Sequence, residues 1–533
     1  VTSEIHGFPR FFDSDKAFRL TTQGIPVSVD NYFDPDEKLL SFFTRVNYVF
    51  KNRYVLEGVY RADGSSKFLG DNVWGYFPSV SGAWKIAEEN FMKGATNWVN
   101  DLKLRASYGI AGNNSIPVGQ TLTMFESRTN TWMSGFDNYW AASSIMANPD
   151  LKWETTYTRN IGLDFSILKG RVFGTVEYYR NNTKDLLLAF PTPGTGYLSQ
   201  YRNIGETENK GVDVSLSYVV LDHKDYGLTV SVNSNFNRNK VVSLGELDAI
   251  TAGTNSNWAS TQIGRDFDVR VGSSLGAMYG YLNDGRYEVS DFEGYNESTG
   301  RWILKEGVAD ASGVVGAGLG TARPGMMKLK DVSGNGIVGQ EDQQIIGNFN
   351  PKHSGGFTLN GYAFGFDVTA AFNYSYGNSV YNANKIEFTT SNLNNQYRNL
   401  SDIMAEGKRW TNINSSGQLV TDPAELAAMN ANTTMWSPYM NRYVFSDWAV
   451  EDGSFIRLNT LTLGYTLPAA IASKAKLKNL RVYATGYNVF IITNYSGFDP
   501  EVSTRRRTPY TPGVDYSAYP RSRQIVFGLN FNF

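Results

Sequence analysis

The sequence predicts an all-β protein: an antiparallel transmembrane β-barrel with short turns at one end and long loops at the other. Three observations carry this reading. Period-2 segments recur along the chain, their second face is small and polar where the first is oily, and the connections alternate short and long. The final stretch shows the first two features together. Ile525, Phe527, Leu529, Phe531 and Phe533 alternate with Val526, Gly528, Asn530 and Asn532. A strand sends alternate side chains to opposite faces. In an outer-membrane barrel the oily face meets lipid and the small polar face meets the lumen.

The upstream segments repeat the pattern. Leu40, Phe42, Val46, Tyr48 and Phe50 share one parity, and after a Lys51-Asn52-Arg53 connection Tyr54, Leu56, Tyr60 and Ala62 follow. Leu102, Leu104, Ala106 and Tyr108 alternate with Lys103, Arg105 and Ser107. Tyr157, Ile161, Leu163, Phe165 and Ile167 alternate with Thr156, Thr158, Asn160, Gly162, Asp164 and Ser166. Comparable runs begin at Val212, Leu228, Phe366 and Leu461. Such alternation marks half-exposed antiparallel strands, whereas a parallel sheet buried on both faces gives continuous apolar runs. A soluble sandwich with an aromatic core is the alternative. The polar second face, repeated in strand after strand, favours the membrane.

Short connections fall near 51–53, 168–171, 220–226, 362–365 and 468–478. Long ones fall near 63–76, 113–153, 184–203, 239–351, 378–452 and 493–520. In outer-membrane barrels the turns are periplasmic and the long loops extracellular. Followed in up-down order, the chain gives about thirteen crossing strands and ends on the periplasmic side. Residues 1–38 read as an extracellular loop or the end of an upstream strand, and 39–533 as barrel with outer loops. The 239–351 loop is expected to hold an extra hairpin near 276–287. Tyr48, Phe50, Tyr54, Tyr76, Phe77, Tyr178, Tyr179, Tyr465, Phe531 and Phe533 lie near strand ends, where an interfacial aromatic girdle is expected.

Composition narrows the function. The 533 residues include 32 Tyr, 32 Phe, 11 Trp and no Cys, with a net charge of −2. The charge offers nothing for nucleic acid, and the lack of Cys excludes a disulfide scaffold and thiolate metal sites. No run of about 18 apolar residues marks a membrane helix. Neither a signal peptide nor an initiator Met opens the sequence, so it reads as a mature or partial segment.

Several blocks also resemble a known family. Arg61-Ala62-Asp63-Gly64-Ser65-Ser66-Lys67-Phe68 leads into Tyr76-Phe77-Pro78-Ser79-Val80-Ser81-Gly82-Ala83-Trp84 and Glu88-Glu89-Asn90-Phe91-Met92. Further along come Asn148-Pro149-Asp150-Leu151-Lys152-Trp153-Glu154-Thr155-Thr156, Asn203-Ile204-Gly205-Glu206 and Asn209-Lys210-Gly211-Val212. Glu451-Asp452-Gly453-Ser454-Phe455-Ile456-Arg457-Leu458, Tyr495-Ser496-Gly497-Phe498-Asp499-Pro500-Glu501 and Tyr519-Pro520-Arg521 complete the set. In this order they resemble the SusC/RagA family of TonB-dependent outer-membrane transporters.

The resemblance implies a barrel of 22 strands, a size at which the lumen is plugged. It implies a plug domain and a TonB-contacting segment, neither of which this sequence resembles, so the chain is expected to be the C-terminal part of the barrel. It implies a SusD-like surface lipoprotein as lid, energy from TonB-ExbB-ExbD, and import of oligosaccharides or oligopeptides across the outer membrane of Bacteroidota. The alternative is a passive porin or a barrel-based surface adhesin.

Two candidate sites stand out. Asp331, Ser333, Asn335, the Ile337 carbonyl and Asp342 have the spacing of a calcium loop, with Gly336 at the sharp turn. Ser and Asn replace acidic ligands, and Asp stands where a bidentate Glu is usual, so binding would be weak. Calcium is the one candidate cofactor, and none is required. Trp132, Phe136, Tyr139 and Trp140 cluster in the 113–153 loop, where exposed aromatic faces would stack on a substrate. Gly316-Ala317-Gly318-Leu319-Gly320 lacks the strand-to-helix setting of a phosphate loop. No nucleophile, base or zinc pattern points to an enzyme.

Overall fold

The computed structural model describes residues 37–129, 138–250, 255–259, 263–316, 320–391, 399–504 and 510–533, together with two short strands, Thr2–Gly7 and Ser28–Phe33. Those two pair antiparallel with each other. The main body is one thirteen-stranded sheet, matching the expected number of crossings. Its strands are β1 (Leu39–Phe50), β2 (Tyr54–Ser65), β3 (Trp74–Lys85), β4 (Val99–Asn113), β5 (Glu154–Ile167), β6 (Val172–Lys184) and β7 (Glu206–Asp222). Then come β8 (Tyr226–Ser243), β9 (His353–Ala363), β10 (Phe366–Tyr376), β11 (Phe455–Thr466), β12 (Asn479–Thr493) and β13 (Gln524–Asn532). Each pairs antiparallel with the strand before and after it, however long the intervening loop. Among the described residues β1 and β13 each have one partner in this sheet, so one edge of each is without a described neighbour. Among the described residues no helix is long and apolar enough to cross a membrane.

Local chemistry sets the turns. Lys51 and Asn52 both have positive φ, 49° and 57°, and the Arg53 amide donates to the Phe50 carbonyl at 3.0 Å. This left-handed pair matches the right-handed twist of the strands it joins. Phe364 and Gly365, at φ 50° and 91°, do the same between β9 and β10. Leu168, Lys169 and Gly170 all have positive φ between β5 and β6.

The two faces differ as the period-2 pattern requires. The oily face is largely exposed, with Phe527 79% and Phe42 60% accessible, and Tyr60 stacks on Tyr76 at 6.3 Å across the strands. Apolar surface on this scale marks contact with lipid or another partner. The other face is knitted by polar pairs: Thr156 with Thr183 at 2.9 Å, Ser217 with Ser231 at 2.8 Å and Thr462 with Thr485 at 2.9 Å. Ion pairs join it toward the turn end, where Arg105 meets Asp164 at 2.8 Å and Arg481 meets Asp367 at 2.5 Å. Cross-strand pairs of this kind are the unit of sheet stabilisation.

Two of the girdle aromatics do other work. Phe77 is buried against Trp153 at 5.5 Å, beneath the loops. Tyr179 follows Tyr178 and so points to the opposite face, where its hydroxyl donates to Asn237 at 3.0 Å. The expected hairpin near 276–287 is also corrected. Strands Ala277–Gly280 and Asn283–Arg286 exist but do not pair with each other. The first pairs with Phe267–Arg270 and Gln344–Asn348, the second with Met327–Leu329. Tyr281, between them, is buried and bridges to Ser446, so no turn closes there.

Candidate functional site

The long connections fold over one end of the sheet around cores of their own. One joins Tyr287, Phe292, Trp302, Met326, Met327 and Leu329 to Met404, Trp410, Leu426 and Trp436. A second gathers Trp258, Phe267, Met278, Tyr381, Ile386 and Phe445. Trp258 donates to the buried Tyr381 hydroxyl at 2.6 Å. Residues more than 100 positions apart thus form one packed assembly, and any ligand or partner reaching this end meets it.

The blocks that carry the family resemblance converge as docking pins. Arg457, near the start of β11, is only 2% exposed and pairs with Asp499 at 2.6 Å and Glu501 at 3.3 Å. Arg521 meets the same two carboxylates at 3.2 Å and 3.0 Å, and Asn488 accepts from Arg457 at 2.7 Å. The Glu451 carboxylate accepts the Ser496 amide at 2.9 Å and its hydroxyl at 2.8 Å. Burial pushes the Glu451 pKa up, but these bonds and nearby Lys385 outweigh it and hold the group ionised below its ordinary value. On the other side Trp153 packs on Phe68 and Phe77, each at 5.5 Å, and Leu151 is fully buried beside them. Asn203 locks the Lys152 backbone, accepting its amide at 2.9 Å and donating to its carbonyl at 2.8 Å. Periodicity gave no warning of this network, because its members are distant in sequence.

In the 331–342 loop, Asp331 accepts the Gly334 and Gly336 amides, each at 2.7 Å. Asn335 accepts the Ile337 amide at 2.8 Å. Asp342 is fully buried and accepts Val332 and Ser333 at 2.8 Å and Gly339 at 2.7 Å. Burial works against its charge, yet the Gly339, Ser333 and Val332 bonds win and lower its pKa. Gly334 and Gly336, at φ 75° and 84°, supply the left-handed turns. The loop is therefore shaped by its own carboxylates: the Ser333 hydroxyl also donates to Asp331 at 3.1 Å and the Asn335 amide to Glu341 at 3.1 Å. Among the described residues no three His, Asp or Glu side chains converge as a metal cluster, so a cation here would rest on few charges. Calcium titration checks this: thermal unfolding that rises only at millimolar calcium, and not in an Asp331→Ala variant, is the expected outcome for a weak site.

Of the aromatic cluster, Trp132 and Phe136 lie outside the described residues. Tyr139 and Trp140 fall in the short strand Asn138–Ala142, whose backbone pairs with Phe125–Thr129. Gly316 closes the four-residue helical turn Ser312–Val315 at φ 76°.

A buried acid in the second core was not foreseen. Asp266 is fully buried, accepting the Ser256 amide at 2.9 Å and its hydroxyl. Burial pushes its pKa up to about 6, against the pull of the Ser256 bonds. A raised folded-state value means the contribution to stability is full below the unfolded value of 3.8 and is lost as pH rises through about 6. The loop assembly is thus expected to tighten on acidification from about pH 6 to 4, by at most about 1.4 kcal/mol per pH unit. Thermal melts followed by tryptophan fluorescence check it; Asp266→Asn should flatten the profile.

Two open clefts lie in the assembly. One of about 700 Å³ is bordered by Lys385, Phe388, Phe498 and Tyr519. The other, about 650 Å³, runs between Trp302, Trp410 and Tyr439 and is lined by Arg301, Arg323 and Arg409. Both are within the size range of small-ligand sites.

Comparison with known proteins supplies the family. Residues 6–323 match the TonB-dependent receptor-like β-barrel model. TonB-dependent receptor P3 of Formosa agariphila is 31% identical over 535 residues, covering 99% of this chain and 49% of that protein. The TonB-dependent receptor SusC of Bacteroides thetaiotaomicron is 32% identical over 510 residues, 93% of this chain and 44% of that protein. The chain therefore spans about half the length of the curated relatives it matches. The solved RagAB peptide importer in its closed-closed state superposes with a TM-score of 0.72 at 25% identity, over 98% of this chain and 51% of that one. With the antiparallel sheet, its oily face and the folded loops already in view, this chain belongs to the TonB-dependent receptor-like β-barrel family.

Proposed function

We propose that this chain forms part of the wall and outer loops of an outer-membrane importer of oligomeric nutrients, oligosaccharides or oligopeptides. It would act as the SusC-like barrel of a SusCD-type complex, energised through TonB, with binding and gating in place of catalysis. The observation that carries the proposal is the thirteen-stranded sheet, oily on one face and polar on the other, in which β1 and β13 each have a single partner among the described residues. Backbone groups left unpaired in lipid cost several kcal/mol each, so both edges call for further strands that close the barrel. The short turns and the C-terminal strand end would face the periplasm and the folded loops the outside, where a SusD-like lipoprotein would dock. The names of the relatives support this reading.

Uptake measurements in cells test it. A panel of fluorescently labelled maltooligosaccharides, oligogalacturonates and tryptic peptides would be offered with and without a protonophore. Uptake that needs the receptor and stops when the proton-motive force collapses is expected. Uptake that continues unchanged would replace the importer with a passive pore.

A further inference from the structure

The 650 Å³ cleft has a lopsided charge. Arg301, Arg323 and Arg409 line it, and among the described residues no Asp or Glu does. They come from three separate stretches of the loops. Arg323 donates to the Tyr439 carbonyl at 3.0 Å and Arg409 to the Met404 carbonyl at 2.7 Å. Among the described residues none of the three pairs with a carboxylate. Two neighbouring cations do: Arg286, over the Trp410 ring at 4.7 Å, meets Glu288 at 2.7 Å, and Lys408, next to Arg409 in the chain, meets Asp402 at 3.7 Å. Each guanidinium offers five N–H donors, so most remain for a ligand.

The arrangement is costly for the protein alone. Arg323 and Arg409 are half-buried, and burial lowers the Arg323 pKa from its ordinary value. A charge held out of water without a counter-charge destabilises its surroundings. Arg323 and Arg409 each satisfy one backbone carbonyl, a task that needs a donor but not a charge. An anion brought by a ligand would offset the cost. Arginine clamps a carboxylate through two parallel hydrogen bonds. Asn412 and Ser437 add amide and hydroxyl groups, and the 66%-exposed ring of Tyr439 offers a flat apolar face. Guanidinium, hydroxyl, amide and open aromatic face together suit a polyhydroxylated ring that carries a carboxylate.

We infer that this cleft binds acidic oligosaccharides, with Arg301, Arg323 and Arg409 taking the carboxylates of uronic-acid units. The inference rests on the import reading and names a substrate class for it.

Calorimetric titration of tetragalacturonate into the receptor purified in detergent tests it. Binding is expected, weakened about tenfold or more when salt is raised from about 50 mM to about 500 mM. Arg409→Gln and Arg301→Gln should each weaken it about tenfold with the melting temperature unchanged. Arg301 is exposed, so its variant stays informative should the half-buried position disturb folding. Neutral tetragalactose should not compete. Tetraglutamate binding as tightly as tetragalacturonate would overturn the saccharide assignment. Tetragalacturonate binding that is undetectable, or indifferent to both variants, would overturn the inference. Energised uptake of another labelled oligomer would then leave the importer reading intact, whereas loss of all energised uptake would remove that reading itself.

Discussion

Arg457→Ala is expected to cost about 3–5 kcal/mol, the usual penalty for removing one partner of a buried charge cluster. The change strands Asp499 and Glu501 against Arg521 alone and removes the donor to Asn488. The segment 494–523 would lose its hold on β11, and with it the approach to β13. A lysine could not restore it, since one ammonium cannot reach both carboxylates in the fork geometry of arginine. Arg521→Ala, at a half-exposed position, should cost no more than about 1 kcal/mol. Thermal unfolding of the detergent-solubilised receptor, with trypsin cleavage inside 494–523 as a second readout, measures both. Equal effects from the two arginines would contradict the burial argument.

Phe527→Arg is expected to destabilise by about 2–4 kcal/mol, the cost of a cation on the lipid face near mid-membrane. Phe527 is 79% exposed, and in a water-soluble protein an arginine there would be welcome. The sign of the effect therefore separates lipid from water. Thr229→Arg, on the polar face of β8, should be far milder, because that face is wet or lumenal. The heat-induced gel shift of outer-membrane fractions compares the two.

Much of the sheet was legible in the sequence because a strand's period is local. Leu461, Leu463 and Tyr465, alternating with Thr460, Thr462 and Gly464, state both the strand and its two environments. The same rule misplaced Tyr179 only where a run of two aromatics was read as one girdle element; parity puts the second ring inside. The loops were not legible, because their cores depend on contacts such as Trp258 with Tyr381, 123 residues apart. No periodicity announces such a pair. In the sequence Asp499, Glu501 and Arg521 stand only as marks of a family, while their physical task, sharing the charge of a buried Arg457, depends on contacts across more than 40 positions. The arginine cleft escaped for the same reason, as Arg301 and Arg409 are 108 positions apart in the chain.

The central claim is that the sheet is a membrane wall with one face in lipid. A nitroxide scan tests it most directly, and the chain's lack of cysteine makes single labels straightforward. Cysteines placed one at a time from Ile525 to Phe531 would be labelled and the receptor reconstituted in bilayers. Accessibility to oxygen, which concentrates in lipid, should peak at 525, 527, 529 and 531. Accessibility to a water-soluble nickel chelate should not peak at those positions. Nickel access that is uniform along the strand, or highest at Phe527 and Leu529, would contradict the claim.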